Sequence, residues 1–268
     1  MEFLVLLFKQ RLLIQRYQQL VRCYWLKVKT LCLLLAHELK TSLARCDLCN
    51  NLSDGEFICR TCQHDIGRFN LPKGTNNLLL WPAVDKIFQK RKFDQLICYA
   101  PYIWPYDVWL KQLKYQAKFE LAPLLAKLLT RCWQDHLSRS SQYYINNSLC
   151  ITSVPIHLTK WQTRGFNQAH LIAKHFAQAN NLHYNANLLS RIKHGDSQVG
   201  QSGIERRKNL ANAFTANTQL LKKFSHVVVI DDVITTGTTA NEISRVLKKG
   251  GVEQVTIMTV ALSLPLKK

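Results

Sequence analysis

The second half of the chain alternates between short apolar runs and helical stripes. Leu149 to Val154 is a short apolar strand. Pro155 to Gly165 reads as a loop carrying His157, Lys160 and Arg164. Ala169, Ile172, Ala173 and Phe176 then recur at the spacing of one helix face. Leu188 to Ile192 is a strand candidate, and Lys193 to Lys208 is polar and aperiodic, the pattern of a long functional or mobile loop. Val227 to Ile230 is mostly β-branched and reads as a buried core strand that ends in Asp231 and Asp232. A helix follows from Thr239, where Thr239-Ala240-Asn241-Glu242 spells a capping box, and it stops at Lys248, Lys249 and Gly250. Val252 to Leu262 supplies the last strand. Upstream, Gln95 to Tyr102 reads as a strand, and Asp107 to Lys118 as a helix with Leu110, Leu113 and Ala117 on one face. Pro123 fits the first turn of a helix running to about His136, and 138–148 reads as a loop. Strands alternating with helices predict an α/β fold, a mainly parallel sheet flanked by helices, with ligands at the carboxyl ends of the strands.

The first part of the chain follows a different pattern. Residues 1–44 are apolar and basic, without Gly or Pro, and read as one or two amphipathic helices. Two roles stay open for them: a packing extension, or a basic helix making a weak membrane-surface or protein contact. Cys46-Asp47-Leu48-Cys49 and Cys59-Arg60-Thr61-Cys62 form two knuckles. Each turns two thiolates towards one point, and Asn50 to Gly55 supplies a turn between them, so Cys46, Cys49, Cys59 and Cys62 match a closed, structural tetrahedral zinc site. A redox role fits less well, since redox motifs usually carry one Cys-x-x-Cys at a helix start, and four thiolates leave a metal no open catalytic position. The divisions expected are an extension over 1–44, a zinc module over 45–70, a linker over 71–94 rich in Asn, Pro and Gly at its start, and an α/β domain over 95–268.

Composition narrows the compartment and the partners. The formal charge is +19 over 268 residues, which favours polyanions such as nucleic acid, acidic headgroups or phosphorylated small molecules. No stretch reaches the roughly eighteen apolar residues of a membrane span, and the apolar Phe3 to Phe8 run is broken by Lys9 and lacks a signal-peptide cleavage pattern. The remaining cysteines are scattered through apolar stretches, as for reduced thiols in the cytoplasm.

The segment after the core strand carries the chemistry. Strand, acidic pair, hydroxyl-rich turn and helix start occur in the order a sugar-phosphate site requires. Free N–H groups and the helix dipole favour a phosphate at Thr235, Thr236, Gly237, Thr238 and Thr239. The Asp231 and Asp232 carboxylates can accept from ribose hydroxyls and hold a divalent cation in the outer shell. No Gly-Lys-Ser/Thr follows the turn, and the dinucleotide glycine spacing is absent, which excludes those two phosphate loops.

This segment resembles the phosphoribosyl-pyrophosphate (PRPP) motif of type I phosphoribosyltransferases. With Val154-Pro155, then Arg164-Gly165-Phe166-Asn167-Gln168-Ala169, Gln198, Arg206-Arg207-Lys208-Asn209, Ala213-Phe214 and Leu113-Lys114-Tyr115, the chain resembles the ComF/GntX-type competence proteins from about residue 45 onward. The resemblance implies a type I phosphoribosyltransferase-like domain behind a small four-cysteine zinc module. It implies PRPP with Mg²⁺ as ligand: Asp231 and Asp232 on the ribose, Thr235 to Thr239 on the 5′-phosphate, Val154, Pro155 and Arg164 facing pyrophosphate. Gln198 to Asn209 would form a mobile hood, with Arg206 and Arg207 near the leaving group or acceptor. It further implies a setting in DNA uptake and transformation. The net charge, with Arg45, Arg60, Arg68, Lys73, Lys86, Lys90, Arg91 and Lys92 around or after the knuckles, leads us to expect weak, sequence-independent binding of single-stranded nucleic acid near the zinc module. Many members carry a second pair of knuckles, whereas this chain has one pair and hence one metal. Relatives acting on 6-oxopurines place a carboxylate where Thr235 stands, so purine salvage is not expected. Two functions follow: phosphoribosyl transfer to an acceptor, or a non-catalytic PRPP-sensing or nucleic-acid-binding module on the same fold.

Overall fold

The computed structural model describes residues 28–29, 44–69, 76–137, 148–192 and 212–263. It divides into two compact units, Met1–Ile66 and Gly67–Lys268. In the first, the chain reverses between Arg45 and Leu52, which form an antiparallel bridge. The Cys46 N–H donates to the Asn51 carbonyl and the Asn50 N–H to the Cys46 carbonyl. Asn50, Asp54 and Gly55 take positive φ, the backbone that a tight knuckle and the turn after it need. Helix α1 (Arg60–Asp65) follows, capped by the Cys59 side chain, which accepts from the Cys62 N–H. Most of the extension over 1–44 lies outside the described residues.

In the second unit a four-stranded sheet is built from β1 (Gln95–Pro101), β2 (Leu149–Ser153), β5 (His226–Ile234) and β6 (Gln254–Leu262), in the order β1-β6-β5-β2 and all parallel. Its central strands are apolar nearly throughout, as a sheet covered on both faces requires. One face is covered by α2 (Tyr106–Gln116), α3 (Leu121–Leu137) and α5 (Gln168–Ala179). Leu113, Leu125, Leu129, Trp133, Ile172 and Phe176 are fully or almost fully buried there. Each such side chain contributes about 1.5–3 kcal/mol by leaving water. The other face holds α6 (Thr238–Lys249), whose Ile243 and Leu247 join Val227, Val229, Val255 and Ile257 in one cluster.

Several sequence expectations change. The segment expected as a linker packs from Leu78 onward, and Leu78, Leu79, Val84, Phe88 and Phe93 belong to the sheet's core cluster. Asn and Pro mark short turns there, and the Asn77 side chain accepts from the N–H groups of Leu79 and Leu96. Ala117 is not on the apolar face but is the left-handed C-cap of α2. The loop expected over Pro155 to Gly165 contains a helix, α4 (Leu158–Arg164), because the His157 side chain caps its start and Gly165 its end at φ 80°. The strand expected at Leu188 to Ile192 is β3 (Leu189–Arg191), which pairs antiparallel with β4 (Phe214–Ala216) outside the main sheet. The loops expected at 138–148 and 193–208 lie outside the described residues except Ser148.

Candidate phosphoribosyl site

The site forms where β2 and β5 end side by side. Ser153 pairs with Ile230, and the Val154 N–H extends the ladder to the Ile230 carbonyl at 3.0 Å. The Asn167 amide holds the Val154 carbonyl at 3.0 Å, so the Val154–Pro155 turn sits beside the residues that follow Ile230. Those residues are Asp231 and Asp232. The sequence pattern ends the core strand at this pair, but β5 continues through it to Ile234, and Asp232 is only 8% exposed. The Gln168 amide donates to the Asp232 carboxylate at 3.3 Å. Burial, and then the adjacent Asp232 carboxylate, raise the Asp231 carboxyl well above the usual range, with Lys114 partly opposing. Two acids so placed carry an excess of negative charge that a divalent cation with oxygen ligands would relieve.

Past Ile234 the chain turns through Thr235, Thr236 and Gly237 into α6. Gly237 is the N-cap at φ 69°, and a Cβ there would meet the Phe88 ring at 2.8 Å. Only glycine permits both the left-handed backbone and the ring contact. The expected capping box does not form: helix starts at Thr238, no side chain caps it, and Glu242 instead pairs with Arg245 at 2.8 Å and accepts from the Asn212 N–H. Because Asn241 is the first residue to donate back along the helix, to Gly237, the N–H groups of Thr238 to Ala240 have no intrahelical acceptor. Thr236 and Thr238 bond to each other through their hydroxyls at 2.9 Å. The turn lines a cleft of about 640 Å³ with Asn241 and Ser263, faced by Lys86, Lys90 and Arg91. Phosphate-accepting donors and cations therefore share one opening.

Arg164 ends α4 and donates to Gln168 at 2.8 Å, which places it two hydrogen bonds from Asp232. Its guanidinium lies 5.7 Å from the centre of the Tyr115 ring. Burial lowers the proton affinity of Lys160, and Arg191, Lys114 and Arg164 lower it further; of these cations, Lys114 also acts on Asp231. Arg206 and Arg207, with Gln198, lie outside the described residues. Gln168, Lys114 and Lys160 carry no role in the sequence reading. For Gln168 the signal was available: it shares the helix face of Ile172 and Phe176, and a polar residue on that buried stripe calls for a buried partner.

In the first unit, Cys46, Cys49, Cys59 and Cys62 bring their sulfurs within 4.8 Å of one another. The Cys49 and Cys59 sulfurs are 3.7 Å apart, close to the roughly 3.8 Å edge of a tetrahedron with zinc–sulfur bonds of about 2.3 Å. Burial pushes the Cys46 thiol up, but backbone donors from Cys59, Cys49 and Leu48 outweigh it and hold it down to about 6. Burial and the neighbouring sulfurs push Cys62 up. The four residues fit a single closed metal site.

An acid pair at the carboxyl end of a parallel strand, followed by a glycine turn into a helix, is the arrangement of a phosphoribosyltransferase-type domain, and the Phosphoribosyl transferase domain family matches residues 162–264. The chain is 32% identical over 209 residues to Competence protein F of Haemophilus influenzae, covering 76% of this chain and 90% of that protein. It belongs to the competence protein F family. DNA utilization protein YhgH of Salmonella typhi is 28% identical over 208 residues, covering 77% of this chain and 85% of that protein. Among solved structures, the glutamine PRPP amidotransferase of B. subtilis overlays 52% of this chain and 25% of its own, at 18% identity and a TM-score of 0.32, too loosely to inform substrate or mechanism.

Proposed function

We propose that this protein binds PRPP with Mg²⁺ at the carboxyl ends of β2 and β5 and serves DNA uptake and transformation during competence. The observation that carries the reading is the shared edge: Val154–Pro155, Asp231–Asp232 and the Thr235 to Thr239 turn meet there. In this reading the N–H groups at the start of α6 take the 5′-phosphate, and the carboxylates accept from the ribose hydroxyls. The Val154–Pro155 turn, Arg164 and Lys160 meet the pyrophosphate. Mg²⁺ neutralises the pyrophosphate charge when bound. Transfer breaks the bond from ribose C1 to a pyrophosphate oxygen and forms one to an acceptor nucleophile; the fixed cations stabilise the departing oxygen's charge.

Calorimetry with PRPP and Mg²⁺ tests the ligand. The Asp231→Asn, Asp232→Asn double variant should lose binding and keep its fold; undiminished affinity would overturn the assignment. Pyrophosphate release that requires single-stranded DNA makes the protein an enzyme with a nucleic-acid acceptor, whereas binding without release makes it a PRPP-responsive module. No conversion of hypoxanthine or guanine is expected, because the Thr235 hydroxyl cannot act as a base near neutral pH; formation of the corresponding monophosphates would show otherwise. We further propose one structural Zn²⁺ on the four thiolates of a module spanning 45–70, a phosphoribosyltransferase-like domain over 95–268 together with the packed segment before it, and a cytoplasmic location. No helix among the described residues is long and apolar enough to cross a membrane.

A further inference from the structure

Three large aromatic side chains on neighbouring elements of the second unit are at least half exposed: Tyr115 at 72%, Trp161 at 52% and Phe119 at 50%. Single exposed aromatics are ordinary. These three are linked through shared neighbours on α4 and just past it. The Arg164 guanidinium and the Lys114 ammonium each lie 5.7 Å from the Tyr115 ring centre. Trp161 and Arg164 are one helical turn apart on α4 and so share its face. Phe119 meets Phe166, just past α4, edge to face at 4.9 Å. Among the described residues, Lys114, Lys160 and Arg164 form no ion pair, and Arg164 spends its hydrogen bond on the neutral Gln168.

We propose that Tyr115, Phe119 and Trp161, with Lys114, Lys160 and Arg164, form a stacking platform for single-stranded DNA beside the phosphoribosyl site. Flat aromatic faces interleaved with cations are the chemistry that holds unpaired bases and their phosphates without sequence preference. A lipid surface is the competing partner, since Leu158 on α4 is also exposed; the cations set against the Tyr115 ring favour bases and phosphates. The platform also has a route to the reaction centre. Tyr115 lies under Arg164, Arg164 holds Gln168, and Gln168 holds Asp232. A strand stacked on Tyr115 would lie against the same arginine that is two hydrogen bonds from the acid pair. The inference deepens the proposed DNA reading by moving the contact from the charge around the knuckles to the rim of the site.

The test uses the full-length protein and a fluorescent oligo(dT) of about 16 nucleotides, read by anisotropy at low and raised salt. The Tyr115→Ala, Trp161→Ala double variant should weaken binding by at least about tenfold, since each stacked base contributes about fivefold or more. The conservative Tyr115→Phe, Trp161→Phe variant should retain it, and wild-type tryptophan emission should be quenched by oligo(dT) in a way that Trp161→Phe diminishes. The alanine variant should keep the wild-type urea midpoint within about 1 M; if it does not fold, the uncharged Tyr115→Ser, Trp161→Gln variant replaces it. No binding of oligo(dT) by the wild type at low salt overturns the platform. So does unchanged affinity in a folded platform variant, or loss of binding to phosphatidylglycerol vesicles with oligo(dT) binding intact. PRPP calorimetry on the same proteins separates the two readings: lost oligo(dT) binding with absent PRPP binding in the wild type leaves the platform standing and removes the PRPP site.

Discussion

Gly237 is where the fold and the proposed phosphate cradle depend on one another, and Gly237→Ala perturbs both. The residue sits at φ 69°, a conformation that costs a residue with a Cβ about 1–2 kcal/mol. The new Cβ would also stand 2.8 Å from Cδ1 and Cε1 of Phe88. Carbon atoms rest at about 3.5–4.0 Å, so the ring or the turn must give way by roughly 0.7 Å or more. Phe88 is buried in the sheet's core cluster against Phe93, their ring centres 5.8 Å apart, and has little room to retreat. Such overpacking costs a further 1–3 kcal/mol or so. The expected loss is therefore about 2–5 kcal/mol in urea unfolding, read as a lower midpoint at unchanged slope. Phe88→Leu should open space, so Gly237→Ala should be less damaging in that background, with a coupling of about 1 kcal/mol or more. Stability of Gly237→Ala within about 0.5 kcal/mol of wild type, or strict additivity with Phe88→Leu, would refute the argument. PRPP calorimetry on the folded fraction should show at least a tenfold loss, because the N–H groups at the start of α6 shift with the turn.

Cys59→Ser should remove the zinc measured by metal analysis of the purified protein and unfold 45–66, while the second unit's near-ultraviolet signal persists; full zinc retention would count against a four-thiolate site. Stability should also fall on acidification through His226. Burial, chiefly, pushes this histidine down to about 4, and it bonds Thr256 at 2.9 Å. The unfolded chain takes up that proton near pH 6.5 and the folded chain only near 4. The contribution is fully present above pH 6.5 and is lost as the pH drops from there through about 4, amounting to about 3 kcal/mol. His226→Gln should flatten the urea midpoint over that window, and an unchanged pH profile would show that another group is responsible. Asp231→Asn should raise stability at neutral pH while abolishing PRPP binding, because desolvation and the adjacent Asp232 carboxylate disfavour ionisation of Asp231; a destabilised Asp231→Asn variant would argue against that strain.

What the amino-acid order determined by itself is local. The β-branched run at Val227, the acid pair and the glycine turn are contiguous, so their chemistry needs no long-range contact to be recognised. The two cysteine knuckles are legible for the same reason, since ligand identity and spacing define the site. Helix faces such as Ile172 with Phe176 follow from periodicity. Tertiary structure decided the rest. It carried β5 past Asp231 and buried Asp232 against Gln168, because pairing to β6 continues through Ile234 and Leu262. It drew Leu78 to Phe93 out of the expected linker, because the face of the sheet opposite α3 and α5 needed covering. It sent Glu242 to Arg245 and Asn212 rather than to a capping box, since a left-handed Gly237 already begins the helix. And it set Arg164 over Tyr115, a contact between elements remote in sequence that no periodicity encodes, because both helices end beside the carboxyl edge of the same sheet.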